Sequence, residues 1–132
     1  METVYKFFAA IIGSIVFCLF GGFSLALKVL FICMIIDYVT GLLAAIYVRH
    51  NLSSKIGVKG GVKKIGMLFI CSLAYYIDML MNANSLIANG ALIYYCATEG
   101  ISILENADEL GIPIPKRLKT ALNNLKENED ES

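Results

Sequence analysis

Long apolar blocks separated by short polar segments form the dominant pattern of this chain. Four blocks approach or exceed the roughly 20 residues that a helix needs to cross the hydrocarbon core of a bilayer. They cover residues 4–20, 25–48, 62–81 and 85–106. The turns inside the first pair and inside the last pair of blocks are short and uncharged. The pattern predicts an all-α integral membrane protein with four transmembrane helices, or three if residues 4–20 do not span.

The first apolar block can also be interpreted as a signal peptide, because the basic Lys6 precedes most of it. No convincing cleavage site of small residues follows, and the next apolar block begins after only a tight turn. We therefore interpret residues 4–20 as the first transmembrane helix.

A basic segment at residues 49–64 connects the second and third blocks. Its basic side chains are Arg49, His50, Lys55, Lys59, Lys63 and Lys64. Lys and Arg are enriched in the cytoplasmic loops of membrane proteins, so we expect this segment in the cytoplasm. With four spans, alternation then puts both termini in the cytoplasm, and the C-terminus stays there with three.

Within the basic segment, residues 51–54 (NLSS) are typical of a break followed by a helix N-cap. Lys55, Lys59 and Lys63 recur every four residues, which puts them on one side of a helical turn. We expect an interfacial segment in which these three lysines and Lys64 bind anionic lipid headgroups.

The C-terminal part of the chain is more polar. Pro113 and Pro115 disfavour a helix over residues 111–115, and a final helix is predicted over 115–127. One face of this helix carries an apolar stripe, formed by Leu118, Ala121, Leu122 and Leu125. The acidic residues after it predict a disordered, solvated tail.

Three basic residues, Lys116, Arg117 and Lys119, lie in the first turns of that final helix, where the helix dipole disfavours cations. An anionic membrane surface would compensate, so these side chains are also expected to bind lipid headgroups. We therefore expect a transmembrane domain over residues 1–110, followed by a cytoplasmic amphipathic helix with an acidic tail over residues 111–132.

Two charged residues lie near the outer ends of the predicted spans. Lys28 follows the start of the second span, and Asp78 precedes the end of the third. Alternation places both side chains at the same depth, which predicts an ion pair between them. The alternative is that each side chain extends separately to the interface.

Asp37 and Glu99 lie deeper, about 18 and 21 Å from the outer ends of their predicted helices. The predicted spans place no basic residue at that depth. Either both acids are protonated and hydrogen-bonded inside the bundle, or they line water once subunits assemble. Gly41 and Ala45 follow Asp37 at helical spacing, and small residues let helices pack closely in lipid. We therefore predict pore or assembly contacts for Asp37, Gly41, Ala45 and Glu99.

Composition fits a membrane protein and gives no sign of an enzyme. Hydrophobic residues make up 58% of the chain, charged residues make up 17%, and a formal net charge of zero gives no reason to expect nucleic acid as a partner. The four cysteines lie in apolar blocks, without the spacing of metal ligands, and are interpreted as packing residues. We expect no catalytic residue, no metal site and no cofactor.

Four segments carry more specific motifs. They are residues 37–46 (DYVTGLLAAI), 52–64 (LSSKIGVKGGVKK), 99–106 (EGISILEN) and 111–119 (GIPIPKRLK). In this order and spacing they resemble the holins of phage lysis and of clostridial toxin secretion. The resemblance covers residues 30–126, so the first helix is predicted from its apolar character alone.

The resemblance implies a small protein that forms homo-oligomers in the bacterial cytoplasmic membrane and opens a lesion there. The lesion lets an endolysin reach the cell wall, with no stable complex between the two proteins, and related holins assist toxin release. Two other functions stay open. One is an ion or proton channel or transporter that uses Asp37 and Glu99 as a relay. The other is a membrane scaffold whose basic segments bind a cytoplasmic partner.

Overall fold

The computed structural model describes residues 1–131, with the side chains of residues 1–130. In this range the chain forms five α-helices and no strand. They are α1 (Glu2–Phe20), α2 (Leu25–Tyr47), α3 (Ser54–Met81), α4 (Leu86–Glu109) and α5 (Lys116–Glu131). The first four are long and apolar enough to cross a membrane. The predicted all-α fold with four candidate spans is confirmed.

The turn between α1 and α2 depends on a glycine and a serine. Gly21 ends α1 in the left-handed conformation, with φ 74°, and its N–H donates to the Phe17 carbonyl at 2.8 Å. The ring of Tyr75 lies where a Gly21 Cβ would be, so a side chain at this position would also require that ring to move. Ser24 then caps α2, because its Oγ accepts from the Leu27 N–H at 3.2 Å.

Helix α3 begins at Ser54, earlier than the predicted start near residue 62. Ser53 caps it by accepting from the Ile56 N–H at 3.3 Å. The glycines that weaken a helix in isolation are useful here, since a Cβ on Gly57 would lie only 3.1 Å from the Tyr38 hydroxyl of α2. Close packing against Tyr38 therefore compensates for the low helix propensity of this segment.

Helix α4 is the centre of the bundle. It packs against α2, α3 and α5, whereas α2 and α3 touch each other only over a short stretch. The apolar core lies where α2, α3 and α4 meet, and it consists of Leu27, Leu30, Met34, Met67, Cys71 and Leu92. Much of the remaining apolar surface points outwards, as expected for helices surrounded by lipid.

Helix α1 lies at the edge of the bundle and has no buried residue. It contacts α3 near the α1–α2 turn, where Ser72 Oγ donates to the Leu19 carbonyl at 2.8 Å. The Tyr76 hydroxyl donates to the Cys18 carbonyl next to it. Most of α1 is therefore free to contact lipid or another protein.

The predicted ion pair between Lys28 and Asp78 is wrong. Lys28 is exposed, and Asp78 is buried with its carboxylate directed at the N-terminus of α4. The carboxylate accepts from the N–H groups of Ser85, Ile87 and Ala88 at 2.8–3.0 Å. The first N–H groups of a helix have no partner within the helix, and they attract a carboxylate more effectively than a distant, hydrated ammonium does.

Helix α5 continues to Glu131, although the acidic end of the chain was predicted to be disordered. It does not extend away from the bundle but packs against α4. Its Leu122 side chain reaches Gly100, and Lys126 lies over the ring of Tyr94, 5.9 Å from the ring centroid. These contacts hold the C-terminal part of α5 against α4, whereas its run of acidic residues does not favour a helix in isolation.

We predict that Asp78→Ala lowers the free energy of unfolding by about 1–3 kcal/mol, because three N–H groups at the start of α4 lose their acceptor. Lys28→Ala is the matched control and should change it by no more than about 0.5 kcal/mol. Helicity can be followed during SDS titration of protein in mild detergent. If the two variants destabilise the protein equally and their effects are not additive in the double variant, the result would instead support an ion pair between Lys28 and Asp78.

Candidate functional site

Three helices each contribute one charged side chain to a single cluster. Lys64 Nζ of α3 lies 2.7 Å from Asp37 Oδ2 of α2 and 2.5 Å from Glu99 Oε2 of α4. The three side chains are only 5–16% exposed. We call Asp37, Lys64 and Glu99 the ion cluster.

The register of the helices brings these charges to one depth. Asp37 precedes the end of α2 at Tyr47, Lys64 follows the start of α3 at Ser54, and Glu99 precedes the end of α4. Each lies about 15 Å along its helix from that end, which is the side of the loop between α2 and α3. The cluster therefore sits near the middle of the candidate spans.

Two predictions change as a result. Asp37 and Glu99 do have a basic partner, because the early start of α3 carries Lys64 into the span. For the same reason, Lys64 is not a headgroup ligand but a partly buried bridge between α2 and α4. Lys55, Lys59 and Lys63 remain exposed, and their contact with lipid headgroups stays a prediction.

Asn106 of α4 completes the polar network. Its Nδ2 donates to Asp37 Oδ1 at 3.0 Å, to the Asp37 carbonyl at 3.2 Å and to Thr40 Oγ1 at 3.0 Å. In the described part of the chain, no buried side-chain nitrogen or oxygen lacks a hydrogen-bond partner. Asn106 was not among the site residues predicted from the sequence, although its spacing from Glu99 puts both on one face of α4.

The cluster contains more acidic groups than basic groups. Two carboxylates face one ammonium, so the cluster is neutral only when one acid carries a proton. In lipid the neutral form is favoured, whereas water stabilises the additional negative charge. The arrangement can therefore bind or release a proton when its surroundings change between lipid and water. Among the described residues, no group of His, Cys, Asp or Glu could hold a metal ion.

A cleft of about 270 Å³ leads from the cluster towards the loop between α2 and α3. Asp37, Lys64 and Glu99 line its inner end, and Arg49 lines its outer end. There Arg49 Nε lies 3.3 Å from Glu109 Oε2 in an exposed ion pair. Water can thus approach the buried charges from this end of the bundle.

The small residues of α2 pack within the chain. Ala44 and Ala45 are buried, and a Cβ on Gly41 would lie 3.6 Å from Asn106 Nδ2 of α4. These residues share a face with Asp37, as expected, and that face meets α4. Any role of Gly41 and Ala45 in assembly stays a prediction.

The headgroup ligands predicted in the C-terminal region, Lys116, Arg117 and Lys119, are all exposed at the start of α5. The ion pairs of the cluster, as far as the described residues show, join only Asp37, Lys64 and Glu99.

Comparison with known proteins gives consistent results over most of the chain. An uncharacterized protein of Halalkalibacterium halodurans is 36% identical over 98% of both chains. One of Listeria monocytogenes is 38% identical over 92% of this chain and 86% of its own. A 14.9 kDa protein of Clostridium perfringens, encoded in the nagH 3' region, is 35% identical over 86% of each chain. No solved structure matches.

The model of the bacteriophage holin family matches residues 14–127. This range includes the ion cluster, the cleft and most of α5. The family consists of membrane proteins without enzymatic activity, in agreement with four helices that are long and apolar enough to span. This chain therefore belongs to the bacteriophage holin family.

Proposed function

We propose that the protein is a holin that oligomerises in the bacterial cytoplasmic membrane and opens a lesion through which an endolysin, or a toxin, leaves the cytoplasm. The observation that carries this proposal is the ion cluster, in which three charged side chains meet near the middle of three of the four helices that are long and apolar enough to span. Such charges are costly in lipid, and in membrane proteins they mark functional sites.

The surface of the bundle supports assembly. Helix α1 has no fully buried residue, and α2 and α3 direct many large apolar side chains outwards. In lipid, helices associate through close packing and through polar contacts between them. A chain with a small internal core and a large outer apolar surface is suited to packing against copies of itself.

The cluster gives this assembly two states. While lipid surrounds the bundle, Lys64 holds Asp37 and Glu99 together and keeps α2, α3 and α4 in contact. Once water enters through the cleft, hydration of the charges replaces the contacts between them. The three helices are then free to separate, and their polar faces border the lesion.

The cleft also favours a second candidate, an ion or proton channel or transporter. It connects the exposed Arg49 with acids that could pass a proton. A channel would conduct ions across the liposome membrane without releasing an enclosed folded protein, whereas a holin would let both the ions and the folded protein pass.

The proposed function predicts rapid lysis when the protein is induced in bacteria together with a cytoplasmic endolysin. Without the endolysin, growth should stop but the cell wall should stay intact, because the lesion itself does not cut peptidoglycan. Endolysin alone is the control. If co-expression dissipates ion gradients but leaves the endolysin inside the cells, the channel is the correct function.

We predict that Lys64→Met destabilises the bundle by about 3–5 kcal/mol, since the buried Glu99 and the partly buried Asp37 lose their shared cation. Lys63→Met, the exposed neighbour, is the matched control and should leave stability unchanged. The combined variant Asp37→Asn, Lys64→Met and Glu99→Gln removes every charge and should regain stability. At equal membrane abundance, it should release endolysin later than the wild type. Wild-type timing would show that the cluster serves only the fold.

We further predict that both termini are cytoplasmic, because alternation of four spans puts the basic residues around the start of α3 and those at the start of α5 on the same side. A reporter protein that works only in the cytoplasm should be active when it is fused at residue 1 and also when it is fused at residue 132. A reporter at residue 1 that is active outside would mean that α1 does not span.

A further inference from the structure

Helix α5 packs antiparallel along α4. Leu122 has two methyl carbons 3.0 Å from the position of a Gly100 Cβ, and further along the helix Glu129 Oε2 lies 2.8 Å from the position of a Gly90 Cβ. Gly90 is about 6 Å by helical rise from the start of α4 at Leu86. A polar helix therefore follows almost the full length of a candidate span.

The outer face of α5 is strongly polar. Its exposed residues include Lys119, Asn123, Asn124, Glu127 and Asp130. With α5 packed on α4, several of these side chains lie at the depth of the bilayer core, where charged side chains are strongly disfavoured. The packed arrangement is therefore incompatible with lipid next to α5 and requires water there.

The inner face of α5 leads to the same conclusion. Only Leu122 of its apolar stripe is well covered by α4, while Leu118 and Leu125 remain 46% and 45% exposed. An anionic membrane surface would accept all three leucines in its headgroup region, with the basic residues at the start of α5 beside the lipid phosphates. In the presence of lipid, the membrane surface thus covers the leucines of α5 better than α4 does.

A groove of about 650 Å³ lies beside the C-terminal half of α5. Apolar side chains of the spans, such as Ile70 and Ile93, line one part of it, and Glu129 and Asp130 line another. Carboxylates that share a groove with membrane-spanning helices need water as their solvent. The groove accordingly marks the side of α4 that borders water when α5 is in place.

We propose that the α4–α5 pair forms the water-facing wall of the assembled lesion. Helix α5 packs on α4 where this face of α4 borders water, and it lies on the cytoplasmic lipid surface where α4 is surrounded by lipid. The proposal rests on the proposed function, since it assigns the wall of the lesion.

The test uses a disulfide between α4 and α5. Leu122→Cys removes the methyl carbons next to Gly100, so Gly100→Cys can be added without overlap. The full chain with both substitutions, and with its four native cysteines replaced by alanine, is reconstituted into liposomes that contain a folded fluorescent protein. A membrane-permeant thiol oxidant is added to accept the two electrons that disulfide formation releases, and release and disulfide yield within one chain are then measured at low and at high protein density.

We expect at least about tenfold more disulfide in liposomes that release their content, because even one charge at bilayer depth shifts a packing equilibrium by more than that. Once formed, the disulfide should leave release intact. The matched control is Gly100→Cys with Asn124→Cys, whose second cysteine lies on the exposed face and should not cross-link within the chain. Replacing Glu127 and Asp130 by leucine should allow the disulfide to form before release begins.

Three results would overturn the proposal. The first is equal disulfide yield with and without release, and the second is release without the disulfide. The third is a disulfide that blocks release until it is reduced, which would make α5 a plug and not a wall. If wild-type protein releases nothing at any density, the proposed function fails, and this inference fails with it.

Discussion

Lys64 holds the carboxylates of Asp37 and Glu99 together, and this contact joins three of the four long helices. Helices α2 and α3 contact each other over little surface. Their relative position therefore depends largely on α4, which packs against both, and on the ion cluster. Charges in a medium of low dielectric attract strongly but are costly to remove from water. Removal of one partner alone is therefore expected to destabilise the bundle, because it leaves a charge without its partner.

The same constraint explains the other polar contacts within the spans. A polar group without a partner is costly in lipid, and Asn106, Asp78 and Glu99 each bind a group on another helix or at a helix end. Asn106 satisfies Asp37 and Thr40, and Asp78 supplies the acceptor that the start of α4 lacks. Helix α4 takes part in all of these contacts, which makes it the element that orders the others.

These contacts also limit how the protein can change shape. Because the ion cluster faces the interior of the bundle, water reaches it through the cleft near Arg49 and not through the outer apolar surface. Helix α5 imposes a second limit, since its charged face and an adjacent lipid environment exclude each other. In the structure α5 packs on α4 while the ion cluster is intact, so the packing of α5 does not by itself require the cluster to open.

The sequence by itself determined the number and type of the long helices, since apolar length and short turns are local properties. It also located the capped break before α3, where Ser53 supplies the cap. The start of α3 was predicted too late. Its first turns contain lysines and glycines, which interrupt the apolar pattern and lower helix propensity, and packing against Tyr38 compensates for this.

Only the tertiary structure decided what the intramembrane charges bind. Lys64 belongs to the cluster because three helix registers coincide, and no spacing within one helix reports that. Asp78 binds backbone N–H groups, which every residue type except proline provides, so its partner has no sequence signature. The position of α5 on α4 likewise depends on surfaces distant in sequence, and an amphipathic pattern fits a protein surface as well as a membrane surface.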